Sequence, residues 1–129
     1  MSLQGFHHIA LRAHDFDATV AFYTEALGFT KGSAWGEGDG RAIMLDAGNG
    51  NYLEVFSGGT NEPKPEGLFF HLALHVDDCD AYLQRAIAAG AEVTMEATSL
   101  DIPSDPPLPV RIGFVKGPNG EVVEFFQLR

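Results

Sequence analysis

Phe6-His7-His8-Ile9-Ala10-Leu11-Arg12-Ala13-His14-Asp15-Phe16-Asp17-Ala18 returns sixty-three residues later as Phe69-Phe70-His71-Leu72-Ala73-Leu74-His75-Val76-Asp77-Asp78-Cys79-Asp80-Ala81. Seven of the thirteen positions are identical: Phe6, His8, Ala10, Leu11, Asp15, Asp17 and Ala18 meet their own kind. A second match follows at an offset of 70, where Asn49, Gly50, Glu54 and Phe56 face Asn119, Gly120, Glu124 and Phe126. The chain is therefore two similar halves, each opening with a histidine in an apolar run and closing with a glutamate in one. Two copies of this length are too few for a solenoid. They predict a duplicated module with pseudo-two-fold symmetry.

Within each copy the periodicity predicts the same order, βαβββ. Residues 5–13 alternate as a strand, with His7, Ile9, Leu11 and Ala13 on an aliphatic face expected to pack on a helix. Phe6, His8, Ala10 and Arg12 form the other face, which suits a ligand cavity. Asp15 or Asp17 caps a helix from Ala18 to Leu27, Gly28 ends it, and Val20, Tyr23 and Leu27 make its apolar stripe. Strands are expected at 29–35, 41–47 and 51–57, the last two joined by the hairpin signal Gly48-Asn49-Gly50. Residues 58–67 read as a linker. The second module, about 68–128, repeats the pattern: a strand at 69–76, a helix at 80–89 between Asp78 and Gly90, and strands at 92–98, 110–115 and 121–128. Residues 100–109 hold four prolines and read as a loop outside the sheet, either a specificity element or a plain surface excursion.

At 129 residues the chain is one domain-sized unit, about 5–57 plus about 68–128, able to bury a core without crosslinks. Its net charge of −10 disfavours nucleic acid and anionic membrane as partners. No apolar run approaches a membrane span, and the start carries no secretory pattern. The single cysteine, Cys79, cannot form an internal disulfide and fits a reducing compartment, so a cytoplasmic location is expected. Its place at a helix start could lower a thiol pKa, but nothing around it is catalytic, and an inert thiol is the expectation.

The chemistry rests on face parity. His8, His71, Glu54 and Glu124 each sit between apolar neighbours on one face of a strand. An isolated carboxylate there is costly to keep charged. Two carboxylates and two imidazoles together suit one divalent first-row cation with room left for water or substrate. His7 and His14 are expected at the surface. His75 shares the face of His71 and is a candidate proton relay. Tyr52, Phe6, Phe56, Phe69 and Phe126 are expected as pocket wall or core.

These residues resemble the vicinal oxygen chelate superfamily of glyoxalase I, extradiol dioxygenases and bleomycin-binding proteins. His8-Ile9-Ala10-Leu11-Arg12 with Asp15 and Phe22-Tyr23-Thr24-Glu25-Ala26-Leu27-Gly28-Phe29 resembles its opening strand and helix. His71 to Asp78 resembles its second opening strand, and Gly117-Pro118-Asn119-Gly120 leading to Glu124 its closing hairpin. The resemblance implies an α+β fold of two βαβββ modules whose mixed sheets curl around a metal cavity. It implies His8, Glu54, His71 and Glu124 as ligands of one divalent metal per site (Ni, Zn, Co, Mn or Fe), in the order glyoxalase I uses. It further implies proton transfer next to a carbonyl through a metal-stabilised enediolate, with Glu124, or its symmetric equivalent Glu54, moving the proton. Arg12 falls where glyoxalase I holds a glutathione carboxylate, so glutathione is a candidate co-substrate, with Tyr52, Phe56, His75 and Phe126 as further substrate contacts. The match stops at Gly58, where bacterial glyoxalase I has asparagine, and at residues 100–109. By the same analogy the protein is a homodimer, with His8 and Glu54 of one chain meeting His71 and Glu124 of the other. A ring-cleaving Fe(II) or Mn(II) dioxygenase and a non-catalytic small-molecule or drug-binding protein are the alternative functions within the family.

Overall fold

The computed structural model describes residues 1–129 and divides into two compact units, Met1–Glu62 and Pro63–Arg129. The first unit runs β1 (His8–Arg12), α1 (Phe16–Ala21, continued by a wider π turn over Phe22–Ala26), β2 (Thr30–Trp35), β3 (Ala42–Asp46) and β4 (Tyr52–Phe56). The second runs β5 (Leu72–His75), α2 (Cys79–Ala88), β6 (Glu92–Ile102), β7 (Leu108–Lys116) and β8 (Val122–Leu128). Each unit folds into one four-stranded mixed sheet, ordered β1-β4-β3-β2 and β5-β8-β7-β6. In both, the opening strand lies parallel to the closing one, and the remaining pairs are antiparallel. The expected βαβββ order holds in each half.

In each helix the aspartate at the Ncap fixes the start. Asp15 and Asp78 accept from the backbone N–H of Ala18 and Ala81, both at 3.0 Å, so Asp15 rather than Asp17 is the cap of α1. That cap starts α1 at Phe16, two residues before the expected Ala18. Thr19 and Thr24 donate their hydroxyls back to the Asp15 and Val20 carbonyls, a local competition that accompanies loosened helical turns. The widened turn carries both Phe22 and Tyr23 into the core, where Tyr23 lies fully buried between Phe22 and Phe29. Gly28 then leaves the helix at φ 82°, as expected of a terminating glycine.

One face of each sheet is apolar. Ile43, Leu45, Leu53 and Val55 are buried with Val20, Tyr23 and Leu27 in the first unit. Val115, Val123 and Phe125 are buried with Leu83 and Ala86 of α2 in the second. Ile9 departs from expectation. It shares the face of Leu53, its register partner, yet is 51% exposed, because β1 is the outermost strand and lies at the sheet edge.

Two segments expected to be irregular are ordered. Leu100, Asp101 and Ile102 pair with Val110, Pro109 and Leu108, so β6 and β7 extend as a two-stranded arm and only residues 103–107 remain as its tip. Pro109 is tolerated because the sheet uses its carbonyl, which accepts from Arg129 N–H at 3.0 Å, and not its nitrogen. The start of the 58–67 segment is also pinned, since Gly59 N–H donates to the Ala13 carbonyl at 2.9 Å. A β-carbon on Gly59 would sit 2.8 Å from the Ala13 carbonyl and the Arg12 oxygen, all backbone. Gly59→Ala is therefore expected to cost about 1–3 kcal/mol, seen as a melting temperature lower by roughly 5 °C or more. An unchanged melt would mean that this contact does not hold the end of β1.

Candidate metal centre

Register decides which side chains share a face, because residues directly opposite one another point the same way. In the first unit Ala10, Glu54 and Met44 lie opposite in succession across β1, β4 and β3, as do His8, Tyr52 and Asp46 one step earlier. This is the sheet face away from α1. Glu54 is 8% exposed there, held between Tyr52 and Phe56. His8 Nε2 stands 3.5 Å from Glu54 Oε1.

The second unit repeats the arrangement. Ala73, Glu124 and Phe114 lie opposite in succession, Glu124 is 6% exposed, and His71 Nε2 stands 3.2 Å from Glu124 Oε1. The His71 ring packs edge-on against Phe114 at 5.6 Å. Burial pushes the Glu124 carboxyl above its ordinary range, and the charge of His71 only partly offsets that. In both pairs the carboxylate is the buried partner and the imidazole reaches toward solvent.

The spacing suits a shared cation. Metal bonds of about 2.0–2.2 Å to nitrogen and oxygen, opened by about 90–110°, put neighbouring donors roughly 3.0–3.4 Å apart. The two pairs, at 3.5 and 3.2 Å, are close to that edge length. Neither unit gathers three such side chains, so each presents two donors.

His7, expected simply as a surface residue, is exposed but touches the pair. Its Nδ1 is 3.0 Å from His8 Nδ1, and its ring lies 5.2 Å from that of Tyr52. It escapes the alternation because regular strand geometry begins only at His8. A metal on His8 Nε2 requires the proton on Nδ1, and His7 Nδ1 is placed to accept it. His14 is exposed, as expected.

Arg12 and Phe56 are opposite one another beside this pair. The guanidinium lies 5.6 Å from the Phe56 ring centre and donates from Nη1 to the Ser57 carbonyl at 3.1 Å. Ser57, which sequence reading passed over, is buried. Its hydroxyl donates to the Gly38 carbonyl at 3.0 Å and accepts from Arg41 N–H at 3.1 Å, fixing the carbonyl that holds Arg12. Nothing local in the sequence marks Ser57, since its partners are 16 and 19 residues away. His75 lies opposite half-buried Phe126 and lines an open hollow of about 380 Å³ with Val76, Asp77 and Tyr82. Phe6 and Phe69 are not core. They are 89% and 99% exposed, because the strands start after them, at His8 and Leu72.

Cys79 is fully buried, its Sγ 3.6 Å from the Phe125 carbonyl. Burial first, then the Asp80 charge, raises its thiol above the ordinary 9.0, despite the helix start. The raised value means that folding favours the protonated thiol. Its contribution is complete below the unfolded pKa and is lost as pH rises through the folded one. Denaturant melts of the wild type and Cys79→Ala are expected to run parallel up to about pH 8.5, with the wild type alone losing further stability above it. Parallel curves to pH 11 would contradict the shift.

Comparison with known proteins follows the same lines. The family model described as Glyoxalase/Bleomycin resistance protein/Dioxygenase superfamily matches residues 5–125. A probable lactoylglutathione lyase of Vibrio parahaemolyticus is 29% identical over 93% of this chain and 88% of its own. Among solved structures, TnmS3, an antibiotic binding protein from Streptomyces sp. CB03234, superposes with a TM-score of 0.73 at 22% identity, covering 100% of this chain and 99% of that one. A glyoxalase I mutant from Zea mays gives a TM-score of 0.74 at 22% identity over 94% of this chain and 43% of that one. No helix here is long and apolar enough to cross a membrane.

Proposed function

This chain belongs to the Glyoxalase/Bleomycin resistance protein/Dioxygenase superfamily, and from that premise we propose that it is a metal-dependent lyase or isomerase of the lactoylglutathione lyase type, working on a small molecule in the cytoplasm. The observation that carries the reading is the repeated pair: a buried glutamate with an imidazole nitrogen at 3.5 or 3.2 Å, at matching places in both units. A buried carboxylate kept beside an imidazole in both halves is a costly arrangement for packing alone. The relative named a probable lactoylglutathione lyase supports the reaction class.

His8, Glu54, His71 and Glu124 would hold one divalent metal. The first two come from one subunit and the last two from another, in a homodimer with two sites. Such a metal supplies a Lewis acid that polarises a substrate carbonyl. Glu124 takes the proton from the neighbouring carbon on a carboxylate oxygen and returns it one carbon away. Its burial raises its basicity toward that task. Glu54 is the alternative base from the other half. Arg12 binds an anionic group of the substrate, with Tyr52 and Phe56 beside it, and His75 and Phe126 extend the contact on the second unit.

Elemental analysis after loading with nickel, zinc or ferrous iron tests the reading. About one metal per chain is expected, reduced in both His8→Ala and His71→Ala. If neither substitution lowers the stoichiometry, the ligand assignment fails. An oxygen-dependent activity requiring ferrous iron would replace the isomerase with a dioxygenase. A chain that loads no metal, and whose ligand affinity survives Glu124→Gln, would be a binding protein, as TnmS3 is. His7→Ala is expected to weaken metal affinity about tenfold while leaving stoichiometry intact, read by competition with a chelating dye. Unchanged affinity would remove His7 from the site.

A further inference from the structure

One row of side chains crosses the whole first sheet. Arg12 of β1 lies opposite Phe56 of β4, Phe56 opposite Ala42 of β3, and Ala42 opposite Trp35 of β2. All four share the face of Glu54, two residues further along β4, or about 6.6–6.8 Å away. Trp35 is the only tryptophan of the chain. It is 47% exposed, and its ring meets that of Phe56 edge-on at 6.3 Å. The two rings close over Ala42, which is 1% exposed.

Trp35 reaches this face only through a bulge. Thr30 and Lys31 pair with Asp46 and Leu45, but Ala34 and Trp35 pair with Ile43 and Ala42, one position out of step. In an unbulged strand Trp35, five residues on, would fall on the opposite face from Thr30. Bulges of this kind re-aim a side chain and are common beside binding sites.

The cation at the end of the row is free to act. Arg41, Arg111 and Arg129 are each paired with an aspartate. Arg12 has no carboxylate partner. It contacts the Ser57 carbonyl and the Phe56 ring, which leaves donors of its fork for an anion. The corresponding row of the second unit is His75, Phe126, Ile112 and Thr98, without the second ring or the arginine. The strip belongs to one half of the duplication alone.

We infer that Arg12, Phe56 and Trp35 form a recognition strip for a planar, aromatic monocarboxylate, with the carboxylate on Arg12 and the ring against Phe56 and Trp35. Trp35 is thereby a specificity residue. The assignment rests on the reading of His8 and Glu54 as the reacting end of the same face, and it names the class of substrate that face takes. One free guanidinium beside two rings matches one carboxylate and a flat apolar body.

The test uses the metal-free full chain and 3-phenylpropionate as the probe, with emission of the sole tryptophan as the readout. A saturable change in emission is expected, at least tenfold weaker for butyrate, which lacks the ring, and for 3-phenylpropanamide, which lacks the charge. Arg12→Met is expected to weaken the response tenfold or more. Trp35→Leu, followed by calorimetry, is expected to do the same while leaving metal stoichiometry untouched. No saturable response, equal responses to butyrate and 3-phenylpropionate, or wild-type affinity in Trp35→Leu would each overturn the strip. A chain that loads metal but ignores 3-phenylpropionate loses the strip and keeps the metal centre. One that binds the probe and loads no metal does the reverse.

Discussion

Glu124→Gln is expected to lower turnover by about 10²–10⁴-fold and, at neutral pH, to raise the melting temperature of the metal-free protein. The two effects have one cause. Glu124 is 6% exposed, with the His71 imidazole 3.2 Å away. Its pKa is raised by burial, so the ionised carboxylate is less favourable folded than unfolded. The group's contribution to stability is complete below its unfolded value near 4.5 and is lost as pH rises through the folded value. Glutamine keeps the shape and removes the charge. The gain is expected at pH 7 and should vanish toward pH 4. Thermal melts at both values decide it. A variant less stable than the wild type at pH 7 would mean that the carboxylate is a net structural asset, against the expectation for a group kept for catalysis.

Saturating divalent metal is expected to raise the melting temperature of the wild type by roughly 10 °C or more. Binding to the folded state alone contributes about 4 kcal/mol at a thousand times the dissociation constant. For a chain of this length that is a shift of this order. His71→Ala removes one of two donors in the second unit and should abolish most of the shift. It should leave the metal-free melt nearly unchanged, since the imidazole is only partly covered. A full metal-induced shift in His71→Ala would place the metal elsewhere.

Much of this architecture is written in the sequence as repetition. The two offsets locate β1 and β5, β4 and β8, and through parity they put His8, Glu54, His71 and Glu124 on the faces where the structure has them. Asp15 and Asp78 announce their helices because capping is local chemistry. What stays hidden depends on phase or distance. Ile9 looks like core by alternation and is exposed because strand order makes β1 an edge. His7 contacts the wrong side for its parity because β1 starts one residue later. The prolines conceal a strand pair, since a proline whose carbonyl alone is used can stand in a ladder. Ser57 gives no signal, its partners being far along the chain.

The bulge in β2 shows how selectivity can be stored in strand pairing rather than in residue identity. Every side chain of the strand beyond it is read one step out of frame. Pairing the same residues straight through, without the bulge, would turn Trp35 toward the helix side and bring Ala34 opposite Ala42 on the substrate face, with no substitution at any contacting position. Deleting one residue between Lys31 and Ala34 would instead take out the bulge and leave Trp35 where it is. A relative could therefore exchange an aromatic wall for an open one by the way this strand is paired, and keep the wall through a one-codon deletion.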